Sequence, residues 1–144
     1  GSGSMTLPGN SIRTAGSYHI RLCGKIETVS ANQELLFIIG IVGNGLLLTT
    51  NYIDLESINP GFPFELEMDI MFQNIGTACT VESCSWFNYM KGDKRDDLRG
   101  WGNSQTRYNI NTTQDLHIGV SSKWATASPN NTLSVHQLSM TKTF

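Results

Sequence analysis

A period of two in hydrophobicity constrains the fold of this chain more than any other feature. In "PFELEMDIMF", from Pro63 to Phe72, every second side chain is apolar and carboxylates stand between them. Successive side chains of a β-strand point to opposite faces, so this stretch is predicted to be a strand with one dry and one wet face. The dry set is Phe62, Phe64, Leu66, Met68, Ile70 and Phe72; the wet set includes Glu65, Glu67 and Asp69.

The same alternation recurs along the chain. It is clear in Tyr18–Cys23 and in Leu116–Trp124, and no segment has a sustained helical period. In the last apolar stretch the phase switches between Val135 and Leu138, which predicts a β-bulge or a strand buried on both faces. Further strands are predicted at Glu34–Val42, Leu46–Leu55, Cys79–Met90 and Leu133–Phe144.

Turn signals separate these strands. "VGNG" (Val42–Gly45) predicts a tight hairpin because Asn and Gly tolerate positive φ, and "NPGFP" and "SPNN" predict further turns. Seven or eight strands in one antiparallel domain predict an all-β fold, a jelly-roll-like β-sandwich. Residues 1–5 ("GSGSM") are interpreted as a cloning scar, and residues 6–144 as a single head domain, expected to be the C-terminal part of a longer fibre or capsid protein.

The three clustered carboxylates raise the question of an active site. Glu65, Glu67 and Asp69 share one face because their spacing is two, and the opposite face is continuously apolar. A catalytic pair needs a cleft and a partner group in position, and the sequence places neither near this strand. The carboxylates are therefore predicted to lie on a solvated or interface-rim face.

Composition and charge argue against two classes of partner. The formal net charge is -2 and no basic block is present, so the electrostatic signature of nucleic-acid binding is missing. The longest apolar tract, "ELLFIIGIVGNGLLL" (Glu34–Leu48), is interrupted by glycines and is shorter than the roughly 20 residues that a bilayer span requires. Neither nucleic-acid binding nor membrane insertion is predicted.

No recognisable chemical motif is present. His19, His117 and His136 lie on three separate predicted strands, without metal-ligand spacing. The three cysteines form no C-x-x-C pair, and Cys79 and Cys84, five apart, are predicted to point to opposite faces as small hydrophobes in a reducing compartment. We predict no catalytic residues, no metal site and no cofactor.

The most distinctive polar segment is Lys91–Asp115. It combines both signs of charge with a Trp between two glycines, and it is interpreted as a long surface loop. A solvated connection is the alternative. The predicted binding residues of this loop, with the indole presented outward, are Arg99, Trp101, Arg107 and Tyr108. The sequons at Asn111 and Asn130 are interpreted as turn chemistry.

Four groups of motifs follow one another along the chain. They are "YHIRLCG", then "GNGL", then "ELEMDI" with a following "IGT", and last "NTT" with "WATASPNNT". Their order, over about Leu7 to Met140, resembles that of β-rich head or fibre domains in virion structural proteins of tailed phages and of large double-stranded DNA viruses or their virophages. The resemblance implies a trimeric jelly-roll head and no catalytic residues. Trp124 is expected to serve packing in the core or in a subunit interface.

The function predicted from this resemblance is attachment. The chain is expected to be a homotrimeric fibre or spike head on the virion surface that binds a host glycan or protein receptor by avidity, and to join other virion proteins through an N-terminal region that this sequence lacks. One alternative is a capsid-decoration or assembly module without a receptor. A second is a tail-associated polysaccharide-degrading enzyme, which a carboxylate pair in a groove would favour. A third is a trimeric ligand of the tumour-necrosis-factor fold.

Overall fold

The computed structural model describes residues 4–13, 16–30, 33–41, 45–50 and 52–144, with only the backbone described at 45–48. Ten strands cover most of this part of the chain, and a single 3₁₀ turn at Arg95–Asp97 is the helical element within it. The strands are β1 (Ser4–Leu7), β2 (Gly16–Thr28), β3 (Gln33–Ile41), β4 (Gly45–Thr49), β5 (Ile53–Leu55), β6 (Ile58–Gln73), β7 (Cys79–Met90), β8 (Leu98–Ile110), β9 (Leu116–Trp124) and β10 (Thr132–Lys142).

The strands form two antiparallel sheets packed face to face. Sheet A has the order β1-β9-β3-β4, and β5 also pairs with β3. Sheet B has the order β10-β2-β6-β7-β8. The long β2–β6 pairing runs from Gly16 opposite Phe72 to Thr28 opposite Ile58. The predicted all-β sandwich is confirmed.

The core lies between the two sheets and follows the period of two in each strand. Burial alternates strictly in β2, in β7 and in β6 from Phe64 onward, so their apolar positions line one face. An aromatic cluster joins the sheets: the ring of Phe37 in sheet A lies 5.1 Å from that of Phe87 and 6.2 Å from that of Phe64, both in sheet B. Offset and tilted aromatic pairs at such distances add to the hydrophobic stabilisation of burial.

Several finer predictions can be compared with this fold. The register of β10 shifts between Val135 and Gln137, which confirms the predicted bulge. Cys79 is buried and Cys84 is exposed, so the two thiols do point to opposite faces, although only Cys79 belongs to the core.

Trp124 is half-buried against the core, which confirms its packing role. The hairpin predicted at Val42–Gly45 falls largely on residues outside the described ranges.

The strand count and one turn were predicted incorrectly. The Leu46–Leu55 strand is divided into β4 and β5, and β1 and β8 were not predicted, which makes ten strands where seven or eight were expected. "NPGFP" lies inside β6, near a register shift in its pairing with β2, and is not a turn between strands. "SPNN" is a turn, in which the Asn131 N–H donates to the Ser128 carbonyl over 3.2 Å.

Candidate functional site

The outer face of sheet B carries the most developed surface features of the described residues. It consists of the side chains that alternate with the buried ones in β2, β6, β7 and β8, together with their neighbours in β10. The cross-strand register sets them in rows, such as Cys23–Glu65–Asn88–Gly100 and Arg21–Glu67–Trp86–Gly102. The antiparallel ladders thus assemble distant stretches of sequence into one flat array.

A bowl of about 430 Å³ lies at one end of this face. Its floor is the row of Cys23, Glu65 and Asn88, and its rim includes Arg21 and His136. The rim is completed by three apolar side chains, Pro63, Met90 and Leu98. A volume of several hundred Å³ lined by apolar groups and a few polar ones is typical of small-ligand sites. The bowl draws on all five strands of the sheet.

Cross-strand ion pairs organise the polar side chains of this face. Arg21 in β2 donates from Nε to Glu65 in β6, and this pairing raises the pKa of the Arg21 guanidinium. One residue row away, a hydrogen bond of 2.8 Å joins Nδ1 of His19 to Oδ1 of Asp69. The other ring nitrogen of His19, Nε2, lies 3.6 Å from Oε1 of Glu67. The three carboxylates are thus on the solvated face, as predicted, and Glu65 and Asp69 are hydrogen-bonded to basic side chains of β2.

Trp86 is the large aromatic side chain exposed at the middle of the face. It is 46% exposed, and its strand neighbour across the ladder is Gly102. A Cβ placed on Gly102 would lie 3.5 Å from Cδ1 and 3.9 Å from Nε1 of the indole, so the pyrrole edge leans over the glycine. Covering an edge-strand glycine with an aromatic ring has a structural value of its own. It also leaves the rest of the indole open to a ligand.

A second depression lies beyond Trp86 on the same face. It measures about 290 Å³, and its lining includes Glu82 and Cys84 from β7 and Ser104 and Thr106 from β8. Because Asn88 belongs to the bowl and Cys84 to the second depression, Trp86 stands between them. Two separate depressions therefore lie along β7 and β8, with the indole between them.

The predicted loop at Lys91–Asp115 is wrong for most of its length. Residues 98–110 form β8, an edge strand of sheet B that pairs with β7 from Leu98 to Arg107 and, after a register shift, at Ile110. Only Lys91–Asp97 and Asn111–Asp115 connect strands. Trp101 faces inward and is half-buried against the core, so the glycines beside it do not present the indole to solvent. These glycines instead lie opposite Trp86 and Asn88.

The other predicted binding residues are not gathered into one site. Arg107 faces inward like Trp101 and donates from Nη2 to Oε1 of Gln105 over 2.8 Å, whereas Tyr108 is 68% exposed on the opposite side of the strand. The side chain of Gln105 also connects the two sheets, because its Nε2 donates a hydrogen bond of 3.2 Å to the carbonyl of Thr49 in sheet A. The role of these residues in binding stays a prediction.

Arg99 belongs to a local ion-pair cluster. Its Nε donates to Oε1 of Glu56 over 2.6 Å, and Nζ of Lys91 donates to Oε2 of the same carboxylate over 2.6 Å. These two hydrogen bonds hold the pKa of Glu56 below its usual value, and the bond from Lys91 has the larger effect. Arg99 also donates from Nη1 to the Asp96 carbonyl over 2.8 Å. The cluster anchors the turn before β8 to the segment between β5 and β6.

The Asn111 side chain forms a turn, as predicted. Its Oδ1 accepts hydrogen bonds from the backbone N–H of Thr113 over 3.0 Å and from the Thr113 hydroxyl over 2.7 Å. Such Asx turns reverse the chain locally, and here Thr112 adds a backbone hydrogen bond of 2.9 Å to the Gly76 carbonyl. This turn leads from β8 into β9 and so from sheet B to sheet A.

The described residues show neither a metal-binding cluster nor a membrane-spanning helix. Across these residues there is no cluster of three or more His, Cys, Asp or Glu side chains that is suited to hold a metal ion. In the same part of the chain, no helix has the length and hydropathy needed to cross a membrane.

Comparison with known proteins adds no relative. No protein-family model, no curated protein and no solved structure matches this chain. The resemblance to virion head domains therefore stays a prediction drawn from motifs, and the candidate site is argued from its geometry alone.

Proposed function

We propose that this domain is a binding head, the attachment module of a viral fibre or spike, and that it contacts its host receptor with the outer face of sheet B. The observation that carries the proposal is the bowl, whose floor and rim unite residues from all five strands of that sheet. The motif order of the sequence supports the viral setting, and the bowl supports a binding role.

The bowl suits recognition because its groups are already positioned. Arg21 and Glu65 are held against each other, so the guanidinium and carboxylate change little when a ligand arrives. Prearranged polar groups lower the entropic cost of binding. The apolar rim at Met90 and Leu98, the latter 56% exposed, gives a ligand surface to cover. A receptor with both polar and apolar groups fits this arrangement.

A homotrimer is part of the proposal. In β3 the inward side chains are fully buried, while Leu36 and Ile38 point to the outer face of sheet A and remain partly exposed. Beside them lie Gly40 and Gly119, which face each other across the ladder and leave that surface flat. Apolar side chains on a flat surface favour burial against a neighbouring subunit. Contact through sheet A leaves the outer face of sheet B free in every subunit.

The test is binding of the labelled domain to panels of bacterial and protist cells, with its mass measured by light scattering. We expect Asn88→Arg, which fills the bowl, to reduce binding about tenfold or more per site, because a bulky side chain at the centre of a contact excludes the ligand. The matched control is Thr77→Arg, at an exposed position in the turn between β6 and β7 that belongs neither to the bowl nor to the outer face of sheet A.

The outcomes separate the parts of the proposal. Equal loss of binding in both variants, with both still folded, would contradict a role for the bowl. Binding by neither the parent domain nor any variant to any cell of the panels would contradict attachment itself. A monomer at micromolar concentration in light scattering would remove the trimer and the avidity that depends on it.

A further inference from the structure

We propose that the ligand of the outer face of sheet B is an extended, uncharged oligosaccharide that runs along β7 and β8, from the bowl across Trp86 into the second depression. This inference rests on the proposed binding function and specifies its ligand. It assigns Trp86 as the stacking platform between two subsites that accept different units of one glycan chain.

The positions along β7 set the minimum length of such a ligand. Asn88 belongs to the bowl and Cys84 to the second depression, with the exposed indole of Trp86 between them. Asn88 is four steps along the strand from Cys84, which is roughly 13 Å at about 3.3 Å per residue. A molecule that occupies both depressions is therefore longer than a single sugar ring.

The surface beside the indole favours a flat apolar ring face with hydroxyl groups around it. Gly100 and Gly102 lie opposite Asn88 and Trp86 in the ladder. Because glycine has no side chain, the outer surface of β8 is recessed at these two positions. An open indole face offers an apolar plane, on which the C–H face of a sugar ring can lie. Around it, the carboxylate of Glu67, the amide of Asn88 and the hydroxyl of Ser104 can exchange hydrogen bonds with sugar hydroxyls.

The charge of the face argues for an uncharged glycan. On β2, β6 and β7 the outward carboxylates outnumber the outward Arg and Lys side chains, and the cation nearest the bowl, Arg21, is already paired with Glu65. A sialylated or uronic-acid chain would meet repulsion here. The outward carboxylates are Glu27, Glu65, Glu67, Asp69 and Glu82, and the outward fixed cations are Arg21 and Lys25.

The backbone of β7, beneath the indole of Trp86, argues against an extended peptide as the ligand at this position. Both edges of β7 are paired, with β6 on one side and β8 on the other, so its N–H and C=O groups are committed to ladders. Extended peptides gain much of their affinity by adding a strand to a free sheet edge. A ligand lying across β7 meets only side chains, which suits hydroxyl-rich chains.

The experiment uses a printed array of neutral and acidic oligosaccharides of one to six units, followed by calorimetry with the best binder and its shorter truncations. We expect neutral chains to bind, with affinity rising until the chain is long enough to cross Trp86. Trp86→Ala is expected to weaken the long chain about thirtyfold, as removal of a central aromatic anchor typically does. The matched control, Tyr52→Ala, removes an exposed ring that is not on sheet B and is expected to change nothing.

A second variant tests the far subsite. Ser104→Leu fills the second depression, and it is expected to abolish the gain from chain length while the shortest binder keeps its affinity. Equal affinity for one-unit and six-unit chains, or a preference for acidic chains, would overturn the inference and leave attachment intact. Binding to cells that survives removal of their surface glycans would also overturn it and would point to a protein receptor.

Discussion

Replacement of Gly24 by Ala tests how closely β2 and β10 pack against each other next to the bulge in β10. A Cβ on Gly24 would lie 1.9 Å from the Ser134 carbonyl oxygen and 3.0 Å from Cε1 of Phe64. The first of these atoms is backbone, in β10 just before its register shift, so relief requires β10 to move away from β2. We expect a loss of about 3 kcal/mol in the free energy of unfolding, the upper part of the usual range for overpacking.

The same substitution at Gly102 is the matched control. A Cβ there meets the Ser85 carbonyl oxygen at 3.4 Å and the indole of Trp86 at 3.5 Å, which are ordinary van der Waals distances. Because Ala restricts the unfolded chain more than Gly does, Gly102→Ala is expected to raise stability by about 0.5 kcal/mol. The two variants therefore differ in sign although they add the same methyl group.

Urea unfolding followed by circular dichroism, at one fixed protein concentration, measures both variants. In a thermal scan the expected loss for Gly24→Ala corresponds to a melting temperature lower by roughly 10 °C for a chain of this size. If both variants unfold within about 0.5 kcal/mol of the parent, or if Gly102→Ala is the more harmful, the close contact between β2 and β10 is not what the geometry indicates.

Two further predictions concern the residues around β8. Since Lys91 and Arg99 lower the pKa of folded Glu56 below the 4.5 of an unperturbed glutamate, their contribution to stability is present above that value. It is lost as the pH falls below 4.5 and through the lower folded value. Glu56→Gln should therefore reduce the acid sensitivity of the unfolding free energy in that range. Trp101→Ala is expected to cost about 2 kcal/mol of stability, because the half-buried indole packs against the core; an unchanged urea midpoint would contradict this.

The sequence carried the information about which face of each strand is wet. The alternation from Phe62 to Phe72 required one buried face, and the structure has it, with Glu65, Glu67 and Asp69 outward. A period of two is a local property, because adjacent side chains of any strand point to opposite sides. For the same reason the opposite orientations of Cys79 and Cys84, and the bulge near Val135, were predictable.

The edge strand β8 shows where local signals fail. Its sequence, "LRGWGNSQTRYNI", is polar and contains two glycines, so it has the composition of a loop. It is a strand because β7 offers a ladder of hydrogen bonds along most of its length, which is a non-local gain. The incorrect loop also led to the prediction that Trp101 is the tryptophan presented to solvent, whereas Trp101 is half-buried and Trp86 is exposed. The period of two in β7 already placed Trp86 beside Glu82 and Asn88 on the wet face.

The tertiary structure alone decided which residues share the candidate site. His19 and Arg21 lie about fifty residues before the carboxylates of β6 in the chain, and only the register between β2 and β6 brings them into contact. Likewise, Gly102 lies beneath Trp86 because β8 turns back along β7. A strand's period is encoded in neighbouring residues, but its partner and register depend on the burial of the whole sheet, which no single stretch of sequence contains.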